Sequence, residues 1–286
     1  MDKLNRNPKI QLGKESVSYQ METKKSLDIE ILILNLLMTA LILAFSFGLI
    51  VTPIFFVLFH MIGVRSFIAG HDRMHTNHKV RFGRILESLF EGFAIVVTPW
   101  DEPYDSVKRK HIAHHISHAP GKHLELDSRK DPHSLYESSV VIASFSCLFF
   151  EEVQLFLDVR DNKLSMSRLY RLMVYLPILT LYIYYFGWMK YLMVFLAMRI
   201  TGASSYFIFS WLSHRNPVYN YRFSSQIPKW MIQVISLLLG QRVSKGIINH
   251  PIHHAWPGVP YNQLEKIAKA IRENPISAPL MLPNNK

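Results

Sequence analysis

The run ILILNLLMTALILAFSFGLIVTPIFFVLFHMIGV, residues 31–64, contains no Lys, Arg, Asp or Glu. A single helix of that length would measure roughly 50 Å, which is more than the ~30 Å hydrocarbon core of a bilayer. Gly48 and Thr52-Pro53 mark a break, because Thr is a good N-cap and Pro a favoured first helical residue. The run therefore predicts a helical hairpin, whose second helix is expected to end at Gly70.

Two further apolar runs lie in the second half of the chain. Residues 172–189 contain no charged side chain, and residues 191–213 contain only Arg199. A tight turn at Gly187-Trp188 is expected between them. We therefore predict an all-α integral membrane protein whose four transmembrane helices form two hairpins, with spans at about 30–50, 53–70, 172–189 and 191–213.

The composition agrees with a membrane protein that has polar ends. Hydrophobic residues make up 49% of the chain and charged residues 19%, and the formal net charge is +11. No nucleic-acid-binding motif accompanies this basic charge, so no nucleic-acid partner is predicted. The single Cys147 excludes an internal disulfide.

We divide the chain into a polar cytoplasmic tail (1–30), one membrane domain (31–275) and a loose C-terminal tail (276–286).

Histidines are concentrated in three short windows, which we call box one, box two and box three. They hold eleven of the 14 histidines, and random placement would scatter them. Box one contains His71, His75 and His78, box two contains His111, His114, His115, His118 and His123, and box three contains His250, His253 and His254.

The spacing inside each box suits a helix that presents imidazoles to one point. Residues three or four apart share a helix face, and neutral imidazole is the commonest biological metal ligand. No cysteine accompanies the boxes, and no Glu follows a box histidine as in the zinc protease motif. Eight of the box histidines have this helical spacing, which is more than the roughly four ligands that one tetrahedral zinc ion binds. They are His71, His75, His111, His114, His115, His250, His253 and His254. The boxes therefore predict two metal ions, with iron and zinc both left open.

Counting the predicted spans places the three boxes on one side of the membrane. Box one follows the second span, no full crossing separates it from box two, and two crossings separate box two from box three. The turns on the opposite side carry only Lys190, whereas nearly all other basic residues lie on the box side. The positive-inside rule then predicts that the boxes, on a helical cap, and both termini are cytoplasmic.

Three shorter segments are expected outside the spans. Residues 138–150 are apolar but too short to cross, which predicts an interfacial or re-entrant segment. Residues 230–239 predict an amphipathic helix before box three. A short amphipathic C-terminal helix is predicted from the stripe Leu264, Ile267, Ala268 and Ile271.

Box three continues into a longer motif, NHPIHHAWPGVPYNQL, residues 249–264. Together with the order of the boxes and the spans between them, it resembles the membrane fatty acid desaturase superfamily over roughly residues 60–264. In that superfamily the third box is followed by a Trp/Phe-Pro-x-x-Pro-Tyr-x-x-Leu pattern. The superfamily also includes carotenoid ketolases and hydroxylases.

The resemblance implies a non-haem diiron site that activates dioxygen and acts on a lipid from the bilayer. Asp72, Asn249 and Asp131 are then expected to support the ligands, with His78 and His118 as further candidates. The implied ligands to the two iron ions are His71, His75, His111, His114, His115, His250, His253 and His254, together with His214 after the fourth span.

Two departures from the desaturase pattern bear on the reaction. Met74 and Thr76 flank His75, where many desaturases have glycine, and a His-Asp-x-Met-His box also occurs in carotenoid ketolases. The chain lacks the His-Pro-Gly-Gly motif of a fused cytochrome b domain. Electrons are therefore expected from a separate donor of the ferredoxin or cytochrome b type, steered by the basic surface.

Three functions follow from this pattern. The leading prediction is an acyl-lipid or acyl-CoA desaturase, and the second is a carotenoid ketolase, hydroxylase or other lipid hydroxylase on the same scaffold. A non-enzymatic metal-binding membrane protein is disfavoured, because transporters bind near the bilayer midplane and these boxes lie beyond span ends. The residues interpreted above do not separate the first two, and they leave the oligomeric state open.

Two polar residues inside the predicted spans need separate interpretation. Arg199 is either paired and functional within the membrane, or it extends to the interface. His60 is interpreted as a hydrogen-bonded intramembrane histidine rather than a ligand.

Overall fold

The computed structural model describes residues 9–12, 15–18, 24–75, 104–117, 139–162, 164, 166–212 and 227–273. Its contacts divide the chain into two compact units. We call them the transmembrane unit, which comprises Lys25–His111 and Ser138–Phe207, and the C-terminal unit, which comprises Met1–Lys24, Ile112–Glu137 and Ile208–Lys286.

Helices are the regular elements in the described part of the transmembrane unit. Its helices are α1 (Lys24–Ser46), α2 (Thr52–Met74), the first part of α3 (Tyr104–Ser117), α4 (Val140–Leu148), α5 (Phe150–Arg160), α6 (Met166–Phe186) and α7 (Trp188–Tyr206). Four described segments are long and apolar enough to cross a membrane, namely Asp28–Ser46, Thr52–Met74, Arg168–Phe186 and Trp188–Phe209. The predicted all-α fold with four spans is therefore confirmed.

The start of α2 differs from the prediction by one residue. Val51 is the N-cap and makes no side-chain capping bond, while Thr52 already lies in the helix and Pro53 follows in the first turn. Gly48 turns the chain with a φ of +77°, a left-handed conformation that glycine adopts without strain. The predicted break is thus at the right place, but Thr52 is not its cap.

The predicted end of α2 at Gly70 was wrong, because the helix continues to Met74. In this last turn Arg73 forms a buried ion pair with Asp28 of α1, with 2.5 Å between Nε and Oδ1. This pair holds the last turn of α2 against α1. Gly70 alone did not end the helix, and as a result His71 is a helical residue.

Helices α1, α2 and α7 share a hydrophobic core. The rings of Phe45 and Phe55 stack with centroids 4.3 Å apart, which joins α1 to α2. The core is formed by the buried side chains of Ile42, Phe45, Phe55, Phe59, Val194 and Ala197.

The turns of the two helical hairpins lie side by side. Lys190, at the start of α7, donates a hydrogen bond from Nζ to the carbonyl oxygen of Phe45 at 2.9 Å. The same ammonium lies 4.2 Å from the centre of the Phe45 ring. Phe47 and Phe186 meet edge to face with ring centroids 5.2 Å apart. The α1–α2 and α6–α7 turns are therefore at one end of the transmembrane unit.

The segment predicted as interfacial or re-entrant forms helix α4, which packs against α7. Helix α5 follows directly and carries buried charges. Arg168 is 2% exposed and pairs with Asp158 at 2.8 Å, with Glu151 at 3.6 Å. Arg199 of α7 forms an ion pair with Glu152, which supports the first of its two interpretations. These carboxylates allow α6 and α7 to carry arginines at buried positions.

The C-terminal unit combines a small hairpin with short helices. Strands β1 (Lys9–Leu12) and β2 (Glu15–Ser18) are antiparallel, with Lys9 opposite Ser18, a feature that the predicted polar tail did not include. The last part of α3 and a π-helical turn (Phe207–Leu212) that continues α7 extend into this unit. Its other helices are α8 (Lys229–Leu239), α9 (Gln241–Ile248), α10 (His250–Ala255) and α11 (Leu264–Glu273).

Both predicted amphipathic helices of this unit are present. In α8, Ile235 is buried, whereas Trp230 and Leu237 are exposed. In α11, the predicted apolar stripe is almost fully buried, with Leu264 and Ile267 at 0% exposure. Helix α11 packs against α9 and α10 and so supports the segment that carries box three.

Candidate metal centre

Three histidines of the transmembrane unit converge at the end of α2. His71 lies in the last turn of α2, His75 is its C-cap, and His111 lies on α3. We call them the first histidine group, and each offers a ring nitrogen within 4.8 Å of the other two. The Nε2 atoms of His75 and His111 are 2.9 Å apart. His71 is 5% exposed, so the group is shielded from water at one side.

The surroundings of this group keep the imidazole of His75 neutral and place a carboxylate beside His71. Burial, followed by the positive charge of Lys108, lowers the pKa of His75 to about 4. At neutral pH His75 therefore retains the lone pair that a metal ion requires. Asp72 places Oδ1 3.5 Å from Nδ1 of His71, so the carboxylate lies beside this ring at an ion-pair distance without a hydrogen bond between these two atoms.

Four histidines of the C-terminal unit form a second histidine group. His115 belongs to α3, and His250, His253 and His254 belong to α10. The His115 ring centroid lies 4.9 Å from that of His253 and 4.6 Å from that of His254. Nε2 of His254 is 3.0 Å from Nε2 of His250. The i, i+3, i+4 spacing of box three thus gathers its rings as the sequence predicts.

Tyr261 supports this second group from a turn after box three. Its hydroxyl lies 2.5 Å from Nδ1 of His250, which leaves Nε2 of that ring directed toward His254. Gly246 of α9 makes room for this contact, because a Cβ atom there would lie 2.0 Å from Cδ1 of Tyr261. The tyrosine therefore fixes the orientation of His250.

Asn249 anchors the start of box three. The described hydrogen bonds of its side-chain amide go to residues other than the histidines. Its Nδ2 donates to the carbonyl oxygen of Lys245 and to Oε2 of Glu265, both at 2.8 Å. Asn249 is 1% exposed. It therefore joins α10 to α9 and α11, which is a positioning contact of the kind expected from its place in the motif.

Helix α3 contributes a ligand candidate to each group. His111 and His115 are four residues apart on this one helix, so their side chains lie on the same face about one turn, or roughly 5–6 Å, apart. The i, i+4 spacing of box two therefore places one ligand candidate in each histidine group.

Several predicted site residues lie outside the described part of the chain. The backbone of His114 belongs to α3, but its side chain is among the parts not described. His78, His118, Asp131 and His214 are also outside the described residues, as are His123 and His133. His60 lies in α2, with Nδ1 3.5 Å from Oγ of Ser204, in agreement with its interpretation as a hydrogen-bonded intramembrane histidine.

Two supporting residues, Tyr261 and Glu265, were not predicted. Tyr261 belongs to the quoted motif, but its spacing from His250, eleven residues, carries no helical signal. Glu265 lies outside the apolar stripe of α11, and nothing in its spacing from Asn249 signals their hydrogen bond. Both roles depend on the chain folding back after Trp256, which periodicity does not predict.

The donor set of each group fits a transition metal ion. Neutral imidazoles that converge within a few ångströms are the ligands preferred by iron, zinc, copper and nickel. The described chain is therefore a multi-pass membrane protein with histidine groups that could hold metal ions. The family model for fatty acid desaturase matches residues 32–280, and the chain belongs to that family. Membership indicates an oxidoreductase. No curated protein and no solved structure matched the chain.

Proposed function

We propose that this protein is a dioxygen-dependent diiron desaturase that introduces a double bond into a lipid acyl chain. The observation that carries the proposal is the pair of histidine groups, each of which offers at least three imidazoles. Family membership supports the same reaction class. The fit of iron rests on the all-imidazole donor set, which suits ferrous iron as well as zinc.

The two groups divide the ligands between two ions. His71, His75 and His111 would hold one iron, and His115, His250, His253 and His254 would hold the other. His114 and His214 complete the set that the family resemblance implies. When bound, the irons supply the reduction of dioxygen that makes unactivated C–H bonds reactive. The acyl chain loses two hydrogens, the donor supplies two electrons, the solvent supplies two protons, and dioxygen is reduced to two water molecules.

The chain's own residues position the reaction. Tyr261 orients the His250 ring through Nδ1, as supporting residues do in metal enzymes, and the Asp72 carboxylate lies beside the His71 ring. The apolar spans hold the lipid, and the low pKa of His75 keeps that ring available to metal in a slightly acidic environment. We further propose a separate ferredoxin or cytochrome b type donor, because the basic balance of the chain attracts an acidic partner.

We place the boxes and both termini on the cytoplasmic side. The shared position of the two hairpin turns supports this orientation, because those turns carry Lys190 while the other basic residues lie mostly elsewhere. Single cysteines introduced at Leu49 and Glu273, both exposed, into a C147S background would test it in sealed membrane vesicles. Leu49 should be labelled from the outer side alone and Glu273 from the cytoplasmic side alone. The reverse pattern would refute the orientation.

A carotenoid ketolase or hydroxylase, or another lipid hydroxylase, is the second candidate function. Met74 in the His-Asp-Arg-Met-His first box favours it, because that pattern is similar to the first box of carotenoid ketolases. The same metal ligands serve both reactions, because both begin with the loss of one hydrogen from the substrate. Loss of a second hydrogen from the neighbouring carbon then gives an alkene, whereas transfer of oxygen to the first carbon gives an alcohol.

Product analysis tests the proposal. The full chain is expressed with an electron donor in a desaturase-deficient host and, separately, in a carotenoid-producing host. New double bonds in acyl chains, together with about two irons per chain, are the expected result. Oxygenated carotenoids without new acyl double bonds would establish the second candidate instead. A protein that binds metal but consumes no dioxygen would overturn both.

A further inference from the structure

A cavity of about 220 Å³ lies inside the transmembrane unit, between α1, α2, α4, α5 and α7. Much of its wall is apolar, with Met38, Ile42, Phe59 and Phe67 among the lining side chains. The volume is smaller than the roughly 300–1,000 Å³ of pockets that enclose a whole drug-sized ligand. The cavity therefore suits one part of a lipid rather than an entire molecule.

Three buried hydroxyl groups line this apolar cavity, and one of them, Ser205 Oγ, donates to the carbonyl oxygen of Thr201. Ser66 is 3% exposed and Thr201 is 7% exposed, and both belong to the cavity wall. Within the described part of the chain, neither Ser66 Oγ nor Thr201 Oγ1 has a hydrogen-bond partner. A buried hydroxyl without a partner is costly, so such groups usually bind something. The amide-bearing side chain of Asn35 lines the same cavity.

The two charged residues that line the cavity, Glu151 and Arg199, each have an ion-pair partner outside its wall. Arg199 pairs with Glu152, and Glu151 lies 3.6 Å from Arg168. An incoming carboxylate or phosphate would bring an additional charge into a low-dielectric space in which the cations have carboxylate partners. A neutral ligand that can accept from or donate to two hydroxyls matches these surroundings.

The cavity lies on the same face of α2 as the first histidine group. Phe59, Gly63, Phe67 and His71 follow one another at intervals of four residues, and the first three line the cavity. Ser66 precedes His71 by five residues, which is about 7.5 Å along the helix axis. A group bound at Ser66 therefore lies within a short length of hydrocarbon chain from the candidate metal ligands.

We propose that this cavity binds an uncharged oxygen-containing group, either a hydroxyl or a ketone, on the hydrocarbon chain of the substrate. The inference rests on the proposed function, and it narrows the substrate class to lipids that already contain an uncharged oxygen near the position to be oxidised. Ser66 and Thr201 are the specificity-determining residues, and the paired charges behind them exclude ionised groups.

Binding to the purified full-length protein in detergent micelles tests the proposal without turnover. The probes are octadecane, octadecan-2-ol and octadecan-2-one, which share one carbon chain and differ only at the second carbon. The alcohol, the ketone or both should bind about five- to tenfold more tightly than the alkane, the value of one added hydrogen bond. Comparison of the two oxygenated probes identifies which oxygen is preferred.

Matched substitutions connect the preference to the two hydroxyls. The double variant Ser66→Ala/Thr201→Val preserves side-chain shape and should bind all three probes as tightly as the wild type binds octadecane. Thr180→Val is the control, because Thr180 is exposed on α6 and bonds only to the carbonyl oxygen of Leu176 among the bonds described for its hydroxyl. This control should keep the full preference of the wild type.

Equal binding of the three probes by the wild type would overturn the proposal, and so would a preference that survives in the double variant. Water that occupies the cavity alone would give the first of these results. Iron content and dioxygen-dependent lipid oxidation are measured on the same preparations. A protein that lacks both but shows the preference would refute the proposed function and not the cavity's ligand. An active enzyme without the preference would refute only the cavity's ligand.

Discussion

Gly63 of α2 faces Thr201 of α7 so closely that a Cβ atom on Gly63 would lie 2.5 Å from Cγ2 of Thr201. Helices α2 and α7 pack against each other extensively, and their close approach at this point depends on the missing side chain. A side chain of any size at residue 63 would separate the two helices that line the cavity.

We therefore expect Gly63→Ala to destabilise the protein despite the higher helix propensity of alanine. Overpacking should cost about 1–3 kcal/mol, more than the ~1 kcal/mol gained from propensity. Thermal unfolding in detergent micelles measures the change. Gly202→Ala in α7 is the control, because a Cβ there meets nothing within 4 Å, and it should be neutral or stabilising. A stable G63A variant would show that the helices do not need this approach.

The ion pairs made by neighbouring acidic residues of α1 should differ in strength. Asp28 pairs with Arg73, and their side chains are 9% and 5% exposed, whereas Glu30 and Arg65 are 31% and 40% exposed. Asp28→Ala leaves a buried arginine uncompensated and should cost about 3–5 kcal/mol. Glu30→Ala should cost less than about 1 kcal/mol, because solvent screens that pair. Denaturation of both variants without metal gives the comparison, and equal losses would contradict it.

Loss of the Tyr261 hydroxyl should weaken metal binding. In Tyr261→Phe the ring still fits against Gly246, but His250 loses the partner of its Nδ1. Supporting residues of this kind typically change metal affinity by about 10- to 100-fold. Competition with a chelator measures the affinity for iron. Tyr184→Phe, an exposed position on α6, is the control and should leave the affinity unchanged.

Single substitutions in the two histidine groups should each remove one metal ion. His111→Ala acts on the first group and His253→Ala on the second, so each variant should retain about one iron per chain. Elemental analysis of protein purified with ferrous iron provides the measurement. His60→Gln changes a histidine outside both groups and should retain the wild-type content. Complete loss of iron in both variants would indicate that the ions bind only as a pair.

The thiol of Cys147 should be unreactive in the folded protein. Burial raises its pKa to about 11 from an ordinary value near 9.0. At pH 8 the reactive thiolate is then about 100-fold less populated than in an unfolded chain. Alkylation by iodoacetamide should be correspondingly slow, should accelerate about tenfold per pH unit up to about pH 11, and should become fast in denaturant. Equal rates in the folded and unfolded chain would contradict the burial of this thiol.

The existence of the four spans could be predicted from the sequence, but their ends could not. A long run without charged residues is what a helix needs to cross the hydrocarbon core of a bilayer, and such runs predicted α1, α2, α6 and α7. The ends depend on side chains far apart in sequence. Helix α2 continues beyond Gly70 to Arg73, whose guanidinium forms an ion pair with the carboxylate of Asp28, forty-five residues earlier in the chain.

The candidate site divides in the same way. Helical spacing predicts that His71 and His75, or His250 and His254, share a face, and the structure brings these rings together. The tyrosine that orients His250 comes from a turn whose return path is set by tertiary packing. The cavity hydroxyls of Ser66 and Thr201 were also missed, because an isolated serine or threonine in a span usually bonds to its own helix backbone.

The bond from Lys190 to the carbonyl of Phe45 ties together the turns of two hairpins that lie far apart in the sequence. A second hairpin that entered from the wrong leaflet would leave its ammonium without that acceptor and Phe47 without Phe186. The turn of the first hairpin thus offers contacts that the second hairpin can make in one sidedness alone.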